Sequence, residues 1–176
     1  MKLVALFFSL LGSLVLGAQT KVNNFHFFEL KVYEYSKQEQ EILIDGFLQH
    51  AYLPFLHRNG RHKVGVFSDH GNDTSAVKKI YVLVPHPSLS DIPVLQKALF
   101  NDQDAMNKGK DYIDASSKYP AYNRITTYVL EGFRFAPYLM LPNLKSDYTS
   151  RVYELRSYES ASEKKYWKKV EMFNEG

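Results

Sequence analysis

An α+β fold, with one antiparallel sheet carrying both of its helices on a single face, is what this sequence predicts. Two observations lead there. Four short segments rich in β-branched and aromatic residues are bounded by turn formers, and two longer segments repeat apolar side chains at helical spacing. Their order along the chain is β-α-β-β-α-β, which the ferredoxin-like arrangement satisfies with short connections.

The first strand is expected over residues 26–35 (HFFELKVYEY), where alternation puts Phe28, Leu30 and Val32 on one face and Glu29, Lys31 and Tyr33 on the other. The apolar trio is expected under the helices. Ser36 and Glu39 make a Ser-x-x-Glu capping signal, and Ile42, Leu43, Phe47 and Ala51 give the helix that follows an apolar face. Pro54 should kink or end that helix, and Asn59-Gly60 should finish it. Residues 64–67 read as a second strand, 69–75 as a turn, and 79–84 as a third strand stopped by Pro85. Ser88 to Asp91 opens a second helix, with Val94, Leu95, Ala98 and Leu99 facing inward. The polar stretch 101–118 extends it into a surface loop, and 125–133 is the fourth strand. This domain occupies residues 24–142, and the polar run 143–150 after Pro142 reads as a linker.

The chain then repeats its opening. FELKVYE at 28–34 returns as YELRSYE at 153–159, and Ser160 and Glu163 supply a second capping signal before an amphipathic segment. The repeat marks residues 151–176 as the first strand and helix of a second copy. A lone strand and helix cannot bury a core. The second copy is therefore expected to be incomplete, or to be completed by pairing within a homo-oligomer or with another domain.

Composition narrows the function classes. The chain holds 22 Lys and Arg against 19 Asp and Glu, a balance without the concentrated basic stripe that nucleic acid requires. Lys164, Lys165, Lys168 and Lys169 interleave with Tyr166, Trp167, Val170 and Phe173, the pattern of an amphipathic helix with a solvated lysine face. The absence of cysteine removes disulfides, thiol catalysis and Cys-ligated zinc or iron–sulfur sites, and with no HExxH-like pair among the histidines no metal site is expected. Met1-Lys2, the apolar run 3–16 and the small residues Gly17-Ala18 have the layout of a secretory signal peptide over residues 1–18. A secreted or periplasmic protein is expected, with no membrane association beyond that leader.

Three stretches carry a family resemblance: 52–67 (YLPFLHRNGRHKVGVF), 119–133 (YPAYNRITTYVLEGF) and 151–174 (RVYELRSYESASEKKYWKKVEMFN). In these the chain resembles the NIPSNAP family, in its secreted bacterial form. The resemblance implies tandem domains of the dimeric α+β-barrel type, each ferredoxin-like. It supplies no catalytic motif, and the short second copy departs from the family, whose members usually complete it.

The duplicated strand gives the best candidate site. If two such sheets face one another, Glu29, Lys31 and Tyr33 with Glu154, Arg156 and Tyr158 are expected to line a shared cavity suited to a small apolar ligand. The plainer reading makes Glu and Lys or Arg cross-strand ion pairs. His57, Arg58 and His62, around the loop after the first helix, are weaker candidates, since no HExxH-like spacing is present. No cofactor is expected. A haem ligand would have to come from His26, His50 or His86, none of them marked by a motif. The phosphate-binding Gly loop, the nucleophile elbow and the dinucleotide fingerprint are all missing. The reading that follows is a non-catalytic module for a small ligand or a protein partner. Its alternative is a monooxygenase-like enzyme, haem- or quinol-related, with its site in the barrel cavity.

Overall fold

A computed structural model of the chain describes residues 27–175, with the side chain of Tyr148 excepted. The expected signal peptide and His26 lie outside that range. Four strands form one antiparallel sheet in the order β2-β3-β1-β4: β1 (Phe27–Tyr35), β2 (Gly65–Ser68), β3 (Lys78–His86) and β4 (Arg124–Glu131). Central β1 sets Leu30 opposite Leu83 of β3 and Tyr128 of β4. The architecture is thus mixed α+β around a four-stranded antiparallel sheet.

β3 runs on through Pro85 to His86, past the expected stop. On its β2 side the ladder begins only where Gly65 faces Leu83. The missing N–H of Pro85 therefore interrupts no pairing there.

The first helical segment is α1 (Gln38–Phe47), a π-helical turn (Leu48–Tyr52) and α2 (Leu53–Arg58). Its start lies one residue later than the Ser-x-x-Glu signal. Gln40, not Glu39, reaches back, its Oε1 accepting from the backbone N–H groups of Ser36 and Lys37. Pro54 neither ends nor breaks the segment. A regular α-helix would press its ring on the carbonyl of His50. The π turn widens the spiral instead, and Leu53 N–H bonds the carbonyl of Leu48, five residues back. Asn59-Gly60 closes the helix as expected: Gly60 takes φ 78°, its N–H bonds His57 O, and Arg61 N–H bonds Leu56 O.

α3 (Asp91–Asn101), α4 (Gln103–Lys108) and α5 (Lys110–Ile113) follow. Ile92 and Leu95 are the buried positions of α3, with Ala98 and Leu99 against the core, whereas Val94 is 63 % exposed. The core joins Tyr33 and Tyr35 of β1 and Ile80, Val82 and Val84 of β3 to Ile44, Phe47, Leu48, Ala51, Phe55, Leu56, Leu95 and Ala105. Each large apolar side chain so buried contributes about 1.5–3 kcal/mol.

The facing of β1 is the reverse of the expectation. Glu29, Lys31, Tyr33 and Tyr35 lie on the helix-covered face, and Phe28, Leu30 and Val32 on the other. Register gives the reason. The odd residues of β1 stand opposite Val84, Val82 and Ile80, at most 3 % exposed, while the even ones stand opposite Pro85, Leu83 and Tyr81. β3 is aliphatic on one face only, and it decides which face of β1 the helices cover.

The repeated phrase diverges further. Residues 151–160 join no ladder, so the expected second strand does not form, while the helix after it does: α6 (Glu163–Glu175). Tyr153 lies against the open face, its ring edge-on to Phe67 with centroids 5.1 Å apart.

Candidate functional site

Two places gather chemistry. The first is a chain of charges between sheet and helices. Glu29 is presented by β1, His86 by the last position of β3, Asp91 by the first turn of α3, and Arg61 by the residue after the Gly60 turn. Arg61 Nη2 donates to Asp91 Oδ2 at 2.5 Å, and His86 Nδ1 lies 2.7 Å from the same oxygen. His86 Nε2 lies 3.5 Å from Glu29 Oε2. Glu29 Oε1 is met by Lys31 Nζ at 3.5 Å and accepts from Gln96 Nε2 at 3.3 Å. Lys31 Nζ also donates to Tyr52 Oη at 3.2 Å.

Glu29 and His86 are each 1 % exposed. Burial pushes the Glu29 carboxyl up, but the His86 imidazole and the Lys31 ammonium outweigh it and hold Glu29 below the ordinary carboxylate range. Burial likewise opposes ionised Asp91, and the Arg61 guanidinium with His86 brings it below that range. Burial drives the Tyr33, Tyr52 and Tyr112 phenols well above theirs, so all three stay neutral hydrogen-bonding groups. Carboxylates and nitrogen donors alternate along this chain of charges, the arrangement a low-dielectric interior tolerates, while Arg61 Nε and His86 Nε2 are buried without a hydrogen-bond partner among the described residues. The chain of charges clamps α3 and the turn at Gly60 to the sheet. His86 lies buried between two carboxylates, its Nδ1 bonded to Asp91, and burial rather than a hydrogen bond closes its Nε2 to a haem iron. His50 sits on the exposed side of the π turn.

The weaker loop candidates separate. Arg58 is drawn away to Asp102 and Asp104, at 2.9 and 3.2 Å. His57 and His62 stand with ring centroids 5.8 Å apart. His62 alone of the three borders a cleft of about 400 Å³ that Arg61, Lys63, His86 and Tyr138 also line. Among the described residues no group of three or more His, Asp or Glu side chains is arranged to hold a metal ion.

The second place is a cavity of about 750 Å³ between the end of β4, the loop 132–136, the segment 156–158 and α6. Aromatic contacts build it. β4 ends at Glu131, and a single bridge between Phe133 and Ala136 turns the chain there. Phe173 of α6 packs on Phe133 at 5.6 Å and on Tyr158 at 5.3 Å between centroids. Arg134 N–H donates to Asn174 Oδ1 at 2.6 Å, fixing the far end of α6 to the same loop. Phe28, Leu130, Trp167 and Val170 complete the apolar lining, and Arg134, Arg156 and Lys169 add charge.

The six residues expected to share one cavity thus fall in two places. Glu29, Lys31 and Tyr33 sit under the helices as part of the buried chain. Arg156 and Tyr158 line the large cavity, and Glu154 pairs with Arg156 at 2.7 Å on the surface. Arg61 carries no site signal in the sequence and Asp91 reads only as a helix opener; what signal there is amounts to a Gly turn just before a basic residue, and a strand-end His five positions before that Asp. Phe133 and Trp167 were legible only as strand and amphipathic-helix residues.

Asn72, in an Asn-Asp-Thr sequence that fits a glycosylation acceptor, is tied to the backbone of Lys79 through both side-chain atoms, at 2.9 and 2.7 Å. Among the described residues no helix is long and apolar enough to cross a membrane. Comparison with known proteins returned no match: no family model, curated protein or solved structure aligns with the chain.

Proposed function

We propose that the chain is a non-catalytic binding module that takes a small apolar ligand in the cavity under α6. The lining of that cavity is the observation that carries the reading. Phe28, Leu130, Phe133, Trp167, Val170 and Phe173 meet around a space of about 750 Å³, within the size range of small-molecule sites. Trp167 and Phe173 are 61 % and 42 % exposed, apolar area that a ligand would remove from water.

The wider reading is an exported, NIPSNAP-like protein with a ferredoxin-like domain. The strand order β2-β3-β1-β4, antiparallel throughout, supports the ferredoxin-like part. The open face of the sheet supports a second layer, from another copy or another domain, because it presents Tyr128 and Leu130 at 52 % and 40 % exposure. The monooxygenase-like alternative draws less support, since the buried imidazole, His86, is enclosed between Glu29 and Asp91.

Titration with Nile red, a neutral apolar dye, tests the reading. Saturable binding of one dye per chain is expected, and Val170→Trp, which pushes an indole into the cavity, should weaken it. Dye binding untouched by Val170→Trp in a folded variant would overturn the proposal.

A further inference from the structure

We infer that the ligand of this cavity is a small amphipathic carboxylate: an apolar or aromatic body carrying one negative charge. The inference rests on the binding reading above and adds the charge of the ligand. The charges lining the cavity argue it. Four ionised side chains face the space: Arg134, Arg156, Lys169 and Glu131. Arg156 is already neutralised by Glu154, which lies outside the lining. Among the described residues no carboxylate pairs with Arg134 or Lys169. The Arg134 guanidinium lies 5.9 Å from the Phe135 ring centroid. Lys169 Nζ lies 5.1 Å from that of Tyr158 and donates to the carbonyl of Glu159, at 3.4 Å. Two cations against Glu131 leave a single positive charge beside an aromatic wall.

A monoanion answers that charge, and its apolar body answers the wall. A neutral ligand would gain nothing from the two cations, and a cationic one would be repelled by them. The head would sit between Lys169 and Arg134. The body would lie along Phe28, Leu130 and Trp167.

The chain contains one tryptophan, and it lines this cavity, so its emission reports on this site alone. Dodecanoate, dodecanol and dodecylammonium, matched in chain length and kept below their micelle concentrations, are titrated into the full chain while Trp167 emission is followed. Dodecanoate should give a saturable blue shift with a Kd at least ~10-fold below that of dodecanol, and dodecylammonium should bind weakest. Lys169→Gln and Arg134→Gln should each shrink the preference for the acid, lowering dodecanoate affinity by more than dodecanol affinity. Equal affinity for acid and alcohol, a preference for the amine, or a preference that survives both substitutions would overturn the inference and leave the binding reading standing. No shift with any of the three would overturn the binding reading itself.

Discussion

FELKVYE and YELRSYE are nearly one phrase, and the chain folds them in opposite ways. The copy at 28–34 is the centre of the sheet, paired along its length with β3 and with β4. The copy at 153–159 has no ladder partner and lies in the open. Both place an acid two residues before a base. Glu29 and Lys31 meet at 3.5 Å in the interior, joined to His86, Gln96 and Tyr52. Glu154 and Arg156 meet at 2.7 Å with side chains 66 % and 64 % exposed. The shorter pair is the weaker one in energetic terms, because water screens it and neither partner depends on the other for solvation. Strand-forming sequence is a capacity, and the neighbours supply the strand.

The largest contrast should appear in amide hydrogen exchange. The bonded amides of 28–34 sit in the middle of a four-stranded sheet and should open only with global unfolding, which for a typical domain implies protection of about 10⁴-fold or more. Amides of 153–158 should exchange within about tenfold of the unstructured rate. Strong protection of the second copy in the isolated monomer would break the comparison. Protection that appears only at high protein concentration would sharpen it, by showing that a second molecule supplies the missing partner strand.

Next in size is the cost of opening the buried pair. Glu29→Ala takes the carboxylate partner from the part-buried Lys31 and the acceptor from Gln96, so urea denaturation should show a loss of about 3–5 kcal/mol. Glu29→Gln keeps the shape and should cost less. The same residue should mark the acid limb of stability. Its carboxyl titrates lower in the folded chain than in the unfolded one, as does that of Asp91. The unfolded state therefore takes up the proton first, and the stabilisation from both is full above the ordinary carboxylate range. It is lost as pH falls through the lowered folded values. Denaturation midpoints for Glu29→Gln should fall less steeply on acidification than those of the unaltered chain. Parallel acid limbs would remove Glu29 from the account.

How much of this was legible depended on where the deciding residue stood. The α+β class, four strands and the Gly60 helix end could be read locally, because alternation, helical spacing and a glycine turn are properties of short windows. The facing of β1 could not. Its even set, Phe28-Leu30-Val32, is the more apolar, and the odd set holds Glu29 and Lys31. The choice was made by Ile80, Val82 and Val84 across the ladder and by an internal partner for each charge. His86, Asp91 and Arg61 converge from a strand end, a helix start and a turn, and no spacing rule links such positions. The π turn shows the same limit: Pro54 announces a disturbance, but burial of Phe55 and Leu56 keeps the helix running through it. Trp167 and Phe173 had the signature of an ordinary amphipathic helix, and only the position of the 132–136 loop turns their face into a cavity wall.

The smallest expected effect is at the exposed pair. Glu154→Ala removes the ion partner of Arg156 from a segment with no hydrogen-bonded ladder, where solvent can take its place. Its urea midpoint should match that of the unaltered chain within measurement error, and so should that of the double variant with Arg156→Ala. The same Glu154→Ala change has a consequence in the cavity. It frees the Arg156 charge, so the preference for dodecanoate over dodecanol should rise modestly while stability stays fixed. A fall in stability on the scale of Glu29→Ala would mean that the second copy is engaged much as the first is, and that the likeness of the two phrases extends from sequence into structure.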